Sequence, residues 1–326
     1  MRTWPAERLA HGWYQIAWSH ELAVGAAVPL DYFERELVAY RAESNQLHVL
    51  DGHCAHCGGH LGYGATIERD TIRCSRCACV WGPDGVQLNG GADGIADSVR
   101  VRPWKATEID ELALVYFSSD PRREPEPPPA PLNRYDIPVW PVTADTTCLW
   151  QREALAPQIV GENGVDAAHF KFVHRSADVA RLESFRSGDR CFEARLSIRF
   201  GAGRTSTWAT PLGPVDGQIL TEQWGVGISR SQLVSHDDIT YVLCATPITP
   251  YLSDLRATAY IPMVRGDGTP LDDVLRDRWM TQQNLQVDAD VRIWSHQNYL
   301  HRPALEETER SPLRELRRWT SNLYDD

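Results

Sequence analysis

Lysine is nearly missing from this chain, which carries it only at Lys105 and Lys171, so almost all of its 33 basic side chains are arginine. Against them stand 44 acidic residues, and the formal net charge of -11 excludes a surface built to neutralise nucleic-acid phosphates. No apolar run approaches the ~20 residues of a membrane span. The first residues lack the basic, apolar and small-residue succession of a secretory signal, so a cytoplasmic location is expected. Its cysteines are then expected to be reduced. Internal repeats are also lacking. The 326 residues, 42% hydrophobic and 24% charged, are too balanced for a disordered chain and suffice for two ordinary domains.

Short β signals fill the first third: Glu36–Tyr40 and Gln46–Leu50 flank a polar turn at Ser44-Asn45, and Ala113–Phe117 follows. Six prolines between Pro121 and Pro131 can neither continue a helix nor donate to a strand ladder, which predicts an extended spacer. The expected domains are therefore 1–120 and 132–326, joined by a linker at 121–131. In the second, Cys191–Phe200, Gly217–Trp224, Thr240–Thr246 and Leu255–Pro262 read as strands of one antiparallel sheet. From Pro270 to Trp294 the apolar residues Val274, Leu275, Trp279, Val287, Val291 and Trp294 fall near the 3.6 period, with Asp272 and Asp273 in the first turn of the expected helix.

Five of the eight cysteines fall between Cys54 and Cys79, a density that points to metal in a reducing compartment. Two ligand sets compete. Cys54-x-His56, seventeen residues, then Cys74-x-x-Cys77 suits a two-iron cluster. Cys54-x-x-Cys57, sixteen residues, then Cys74-x-x-Cys77 is a four-cysteine spacing that suits zinc or a single iron. His60 is a further soft ligand nearby.

A second cluster of ligand types lies at Asp166, His169 and His174. Residues five apart are offset by about 140° on an ideal helix, so the two imidazoles converge only where the helix ends or distorts. Without that, they read as a packed or hydrogen-bonded pair. Two neutral imidazoles and one carboxylate, with open positions left over, make the set that binds Fe(II) and activates O2.

Gly12-Trp-Tyr14, Leu50-Asp51, Cys54-x-His56, Gly59-His-Leu-Gly-Tyr-Gly64, Ile72-Arg-Cys74 and Trp81-Gly-Pro-Asp-Gly85 together resemble the N-terminal domain of Rieske non-haem iron oxygenases. Asn163-x-x-Asp166-x-x-His169-x4-His174 continues the likeness, and the nearest branch is the steroid-oxidising one of 3-ketosteroid 9α-hydroxylases and cholesterol 7-desaturases. The resemblance implies an α+β protein: a small antiparallel β Rieske-type domain, then a helix-grip-like catalytic domain with an antiparallel sheet and a long C-terminal helix. It implies a [2Fe-2S] cluster on Cys54, His56, Cys74 and Cys77, and mononuclear Fe(II) on His169, His174 and Asp290. Asp290 is chosen over Asp288 because Ala289–Trp294 resembles the family's late-helix motif. Asp166 would bridge to a cluster ligand of the neighbouring subunit in a homotrimer. A separate reductase or ferredoxin would supply electrons, and O2 would hydroxylate or desaturate a hydrophobic, steroid-like polycycle.

One departure stands out, because Cys77 occupies the place of the family's second cluster histidine, with Ser75-Arg76 and Cys79 replacing its usual neighbours. A redox-silent relative with zinc on Cys54, Cys57, Cys74 and Cys77, acting as a subunit or ligand-binding protein, is the alternative.

Overall fold

A computed structural model describes residues 2–89, 99–176, 178–201, 213–234, 238–264 and 268–324. They form two compact units, Trp13–Pro128 and the combination of Met1–Gly12 with Pro129–Asp326.

The first unit is built from short strands: β1 (Gly12–Trp18), β2 (Ala27–Tyr32), β3 (Arg35–Arg41), β4 (Leu47–Asp51), β5 (Thr66–Glu68), β6 (Thr71–Arg73), β7 (Val80–Trp81), β8 (Pro103–Trp104), β9 (Ala106–Ile109) and β10 (Leu112–Phe117). They make three small sheets in the orders β2-β3-β4-β8, β5-β6-β7 and β1-β10-β9. Two hairpins turn on two residues each, Phe33-Glu34 and Asp110-Glu111, and all four have positive φ, the geometry whose twist matches that of paired strands. The β5-β6-β7 ribbon matters most for chemistry. One cysteine loop leads into it after β4, and the other joins β6 to β7.

In the second unit β11 (Thr147–Glu153), β12 (Arg181–Ser187), β13 (Cys191–Phe200), β14 (Val215–Trp224), β15 (Ile228–Val234), β16 (Ile239–Thr249) and β17 (Leu252–Tyr260) form one antiparallel sheet in the order β11-β17-β16-β15-β14-β13-β12. Among the described residues four α-helices accompany it: α1 (Pro157–Glu162), α2 (His169–Phe172), α3 (Asp273–Trp294) and α4 (Glu307–Ser321). The expected α+β class and its antiparallel catalytic sheet are what the structure has. Strand β13 shows why, since Phe192, Ala194, Leu196, Ile198 and Phe200 alternate inward and are buried. Each larger one contributes about 1.5–3 kcal/mol when fully buried.

Helix α3 starts where Asp272 accepts the backbone N–H of Leu275 at 2.9 Å, and Trp279, Met280, Val287, Val291 and Trp294 enter the same core as Leu196, Phe200 and Leu233. Val274 and Leu275, placed on its apolar stripe by periodicity, are instead exposed. At the other end Arg2 donates to the carbonyls of Trp294, Ser295 and Gln297, a cation on the negative end of the helix dipole. The first residues of the chain thus serve the second unit. The proline segment 121–131 carries no strand or helix.

Candidate metal centres

The second unit brings His169, His174 and Asp290 together, with one ligand atom from each lying within 4.8 Å of the others. All three side chains are buried. Helix α2 is only four residues long, and at its end the N–H of His174 reaches back to the carbonyl of His169, five residues earlier, at 3.4 Å. That wide turn removes the angular offset of a regular helix and brings the two rings to a centroid distance of 5.0 Å.

The ring of His169 is oriented by its own backbone. Its Nδ1–H donates to the carbonyl of Asp166, which leaves the Nε2 lone pair for a ligand; in the structure Nε2 receives the side-chain N–H of Asn163 at 3.2 Å. Burial pushes the His169 pKa below its ordinary value, partly opposed by Asp290, so the imidazole is neutral as metal ligation requires. His174 Nε2 lies 3.2 Å from Asp290 Oδ2. Two neighbouring ligands at about 2.1 Å from one octahedral ion stand about 3.0 Å apart, so this pair fits adjacent positions on a single metal. The donor set suits Fe(II).

Asp288 is exposed, and its Oδ1 accepts the indole N–H of Trp150 at 2.7 Å. Asp166 is also exposed, with Oδ1 accepting the N–H groups of Ala168 and His169 at 3.1 and 3.2 Å. Behind the ligands, Glu162 ends α1 just before Asn163 and is gripped by Arg317 of α4 through bonds of 2.8 and 2.7 Å. Tyr299 Oη adds a third bond to it, of 2.8 Å. No local pattern announces this clamp, since its partners lie 155 residues apart.

A cavity of about 100 Å³ adjoins the triad. Its wall mixes Val160, Phe170, Ile219, Leu233, Leu243 and Val287 with the hydroxyls of Thr221, Ser229, Ser231 and Tyr241. Tyr241 Oη is buried without a hydrogen-bond partner, a cost that a ligand's polar group would remove.

In the first unit, Cys54, Cys57, Cys74 and Cys77 place their four sulfurs within 4.8 Å of one another. His56 is exposed and falls in a different grouping, with Cys77 and Cys79. Cys79 accepts the side-chain N–H of Gln87 at 3.3 Å, and His60 accepts the N–H of Gly62 at Nδ1. Burial pushes the Cys54 and Cys77 thiols up to about 12, whereas the N–H of Gly59 helps draw Cys57 down to about 6.

Residues 12–86 match the Rieske [2Fe-2S] domain, and residues 119–324 match the 3-ketosteroid 9α-hydroxylase C-terminal domain. The chain is 26% identical to a probable 3-ketosteroid 9α-monooxygenase oxygenase component from Rhodococcus rhodochrous, over 99% of this chain and 82% of that protein. It is 22% identical to a cholesterol 7-desaturase from Drosophila melanogaster, over 96% of this chain and 75% of the other. In fold it is similar to dicamba monooxygenase (TM-score 0.66, 16% identity, 99% and 98% of the two chains). NdmB of Pseudomonas putida CBB5 is comparable (TM-score 0.67, 15% identity, 94% and 89%). Among the described residues no helix is long and apolar enough to cross a membrane.

Proposed function

The chain belongs to the family of the 3-ketosteroid 9α-hydroxylase C-terminal domain joined to a Rieske-type domain, and from that premise we propose that it is an oxygenase component that oxidises a hydrophobic, steroid-like polycycle. Residue by residue, His169, His174 and Asp290 would hold Fe(II), and that ion would supply O2 activation at its open positions. The observation that carries the reading is the convergence of those three buried side chains, two imidazoles and a carboxylate, on the wall of a largely apolar cavity.

The protein's own groups do the positioning. Asp166 fixes the tautomer and orientation of His169 through its carbonyl, while the Arg317–Glu162 clamp holds the segment from which Asn163, Asp166 and His169 project. The apolar wall excludes water from one side of the site. Tyr241, with its partnerless hydroxyl on the cavity wall, would anchor a keto or hydroxyl oxygen of the substrate. Exposed Asp166 is available to a neighbouring subunit of a homotrimer, and a separate reductase or ferredoxin would provide the electrons.

Hydroxylation consumes O2, two electrons and two protons and yields alcohol and water; desaturation consumes the same and yields an alkene and two waters. The test is incubation of iron-loaded full-length protein with a ferredoxin and reductase, NADH and a panel of 3-ketosteroids and sterols under labelled O2. Substrate-dependent product, with one labelled oxygen or two hydrogens fewer and absent in His174→Ala, is expected. No conversion of any member of the panel by protein shown to carry iron at the triad would overturn the assignment to steroid-like substrates.

A further inference from the structure

The donor set of the first unit does not fit a two-iron cluster, and we infer that Cys54, Cys57, Cys74 and Cys77 bind one tetrahedral metal ion, iron or zinc, as four thiolates. The inference is independent of the activity proposed for the second unit.

Distances decide between the two arrangements. Four sulfurs at about 2.3 Å from a single ion lie about 3.8 Å apart along the edges of a tetrahedron. In a two-iron cluster each metal is held by its own pair of protein ligands, and two edge-sharing tetrahedra with bonds of about 2.3 Å keep terminal sulfurs on different metals at least about 5.3 Å apart. Here Cys54 Sγ lies 3.6 Å from Cys77 Sγ and Cys57 Sγ lies 3.7 Å from Cys74 Sγ. No pair in the set exceeds 4.8 Å. Those two separations match the edge of one tetrahedron, and no pair is wide enough to span two irons.

The backbone says the same. In the first loop the N–H of Gly58 reaches the carbonyl of Cys54 at 2.8 Å, and the N–H of Cys54 reaches the carbonyl of Gly59 at 2.8 Å. The second loop repeats both bonds, from Ala78 to Cys74 and from Cys74 to Cys79, each at 2.9 Å. Gly58 and Ala78 both take left-handed φ, 72° and 58°. Each loop also aims an N–H two residues onward at its second sulfur, Gly59 at Cys57 and Cys79 at Cys77. The loops are therefore equivalent turns, and equivalence pairs Cys57 with Cys77. It pairs His56 with Arg76, and both of these are exposed. A histidine ligand at position 56 would break that equivalence, whereas a cysteine at 57 completes it.

The full-length His169→Ala protein, purified without added metal so that the second site is empty, isolates this centre. One ion per chain is expected, with no acid-labile sulfide, and X-ray absorption should show four sulfur neighbours at about 2.3 Å and no metal neighbour. Cys57→Ser should lose the ion or bind it several-fold more weakly, whereas His56→Ala should retain it fully. Iron or zinc equally supports the single-ion site; a coloured, reducible iron form would make the domain an electron carrier and zinc would make it redox-silent. Two irons with two sulfides per chain would overturn the inference. So would metal that depends on His56 and not on Cys57, or thiols without stoichiometric metal in folded protein.

Discussion

Replacing Arg317 by methionine keeps the aliphatic stem but deletes both bonds to Glu162. The side chains of Arg317 and Glu162 are 19% and 13% exposed, so the pair sits between an exposed ion pair and a buried one. Exposed pairs contribute at most about 1 kcal/mol, and removing one partner of a buried pair costs about 3–5 kcal/mol. About 2–3 kcal/mol is expected here, because Glu162 keeps its bonds from Tyr299 at 2.8 Å and Gln158 at 2.9 Å while losing its counter-ion. For a unit of this size each kcal/mol lowers Tm by about 2–4 °C, so calorimetry of the full chain should show the second unit melting about 5–10 °C earlier. Glu162→Gln should cost about 1–2 kcal/mol, and the double variant less than the sum, with a coupling of about 1–2 kcal/mol. Because Glu162 directly precedes the ligand segment, Fe(II) affinity should fall about tenfold in Arg317→Met. Additivity within about 0.5 kcal/mol, or unchanged iron affinity, would refute the clamp.

His169→Ala and His174→Ala should each abolish iron binding at the second site, read by metal analysis, while the circular dichroism and the metal of the first unit persist. Asp290→Asn should lose both iron and turnover. By contrast Asp288→Asn, whose amide oxygen can still accept from Trp150, should stay within about 0.5 kcal/mol of the parent and retain both; the reverse ranking would exclude Asp290 as the ligand. In the first unit, Glu108 bonds Arg41 at 2.6 and 2.8 Å, and chiefly that bond holds its pKa below the usual carboxylate range. Its stabilisation is complete above the unfolded pKa near 4.5 and is lost as pH falls through the lowered folded value, so Glu108→Gln should flatten acid unfolding in that window.

The parts of the fold legible in the sequence were those whose burial alternates cleanly. Strand β13 reads as a strand because every second residue is apolar, and α3 because Trp279, Val287, Val291 and Trp294 recur at helical spacing. Strand β15 escaped because Ser229, Arg230, Ser231 and Gln232 interrupt it, and its place is set by ladders to β14 and β16 rather than by propensity. Helix α4 escaped because Pro312 lies inside it and only Pro312, Leu316 and Thr320 are buried, a thin stripe at intervals of four. At the second site, spacing named His169 and His174 and the family resemblance named Asp290, which the structure brings together, whereas Glu162, Arg317 and Tyr241 depend on long-range packing and left no local trace. At the first, the residues offered both His56 and Cys57. The separations of the four sulfurs and the three-dimensional equivalence of the two turns separate them.

Anomalous diffraction at the iron edge from crystals of the iron-loaded full-length protein bears most directly on the proposed oxygenase centre. The account predicts a peak bonded to Nε2 of His169, Nε2 of His174 and a carboxylate oxygen of Asp290, with Asp288 still on Trp150. No iron peak among those three side chains, or one coordinated by Asp288 instead, would contradict it.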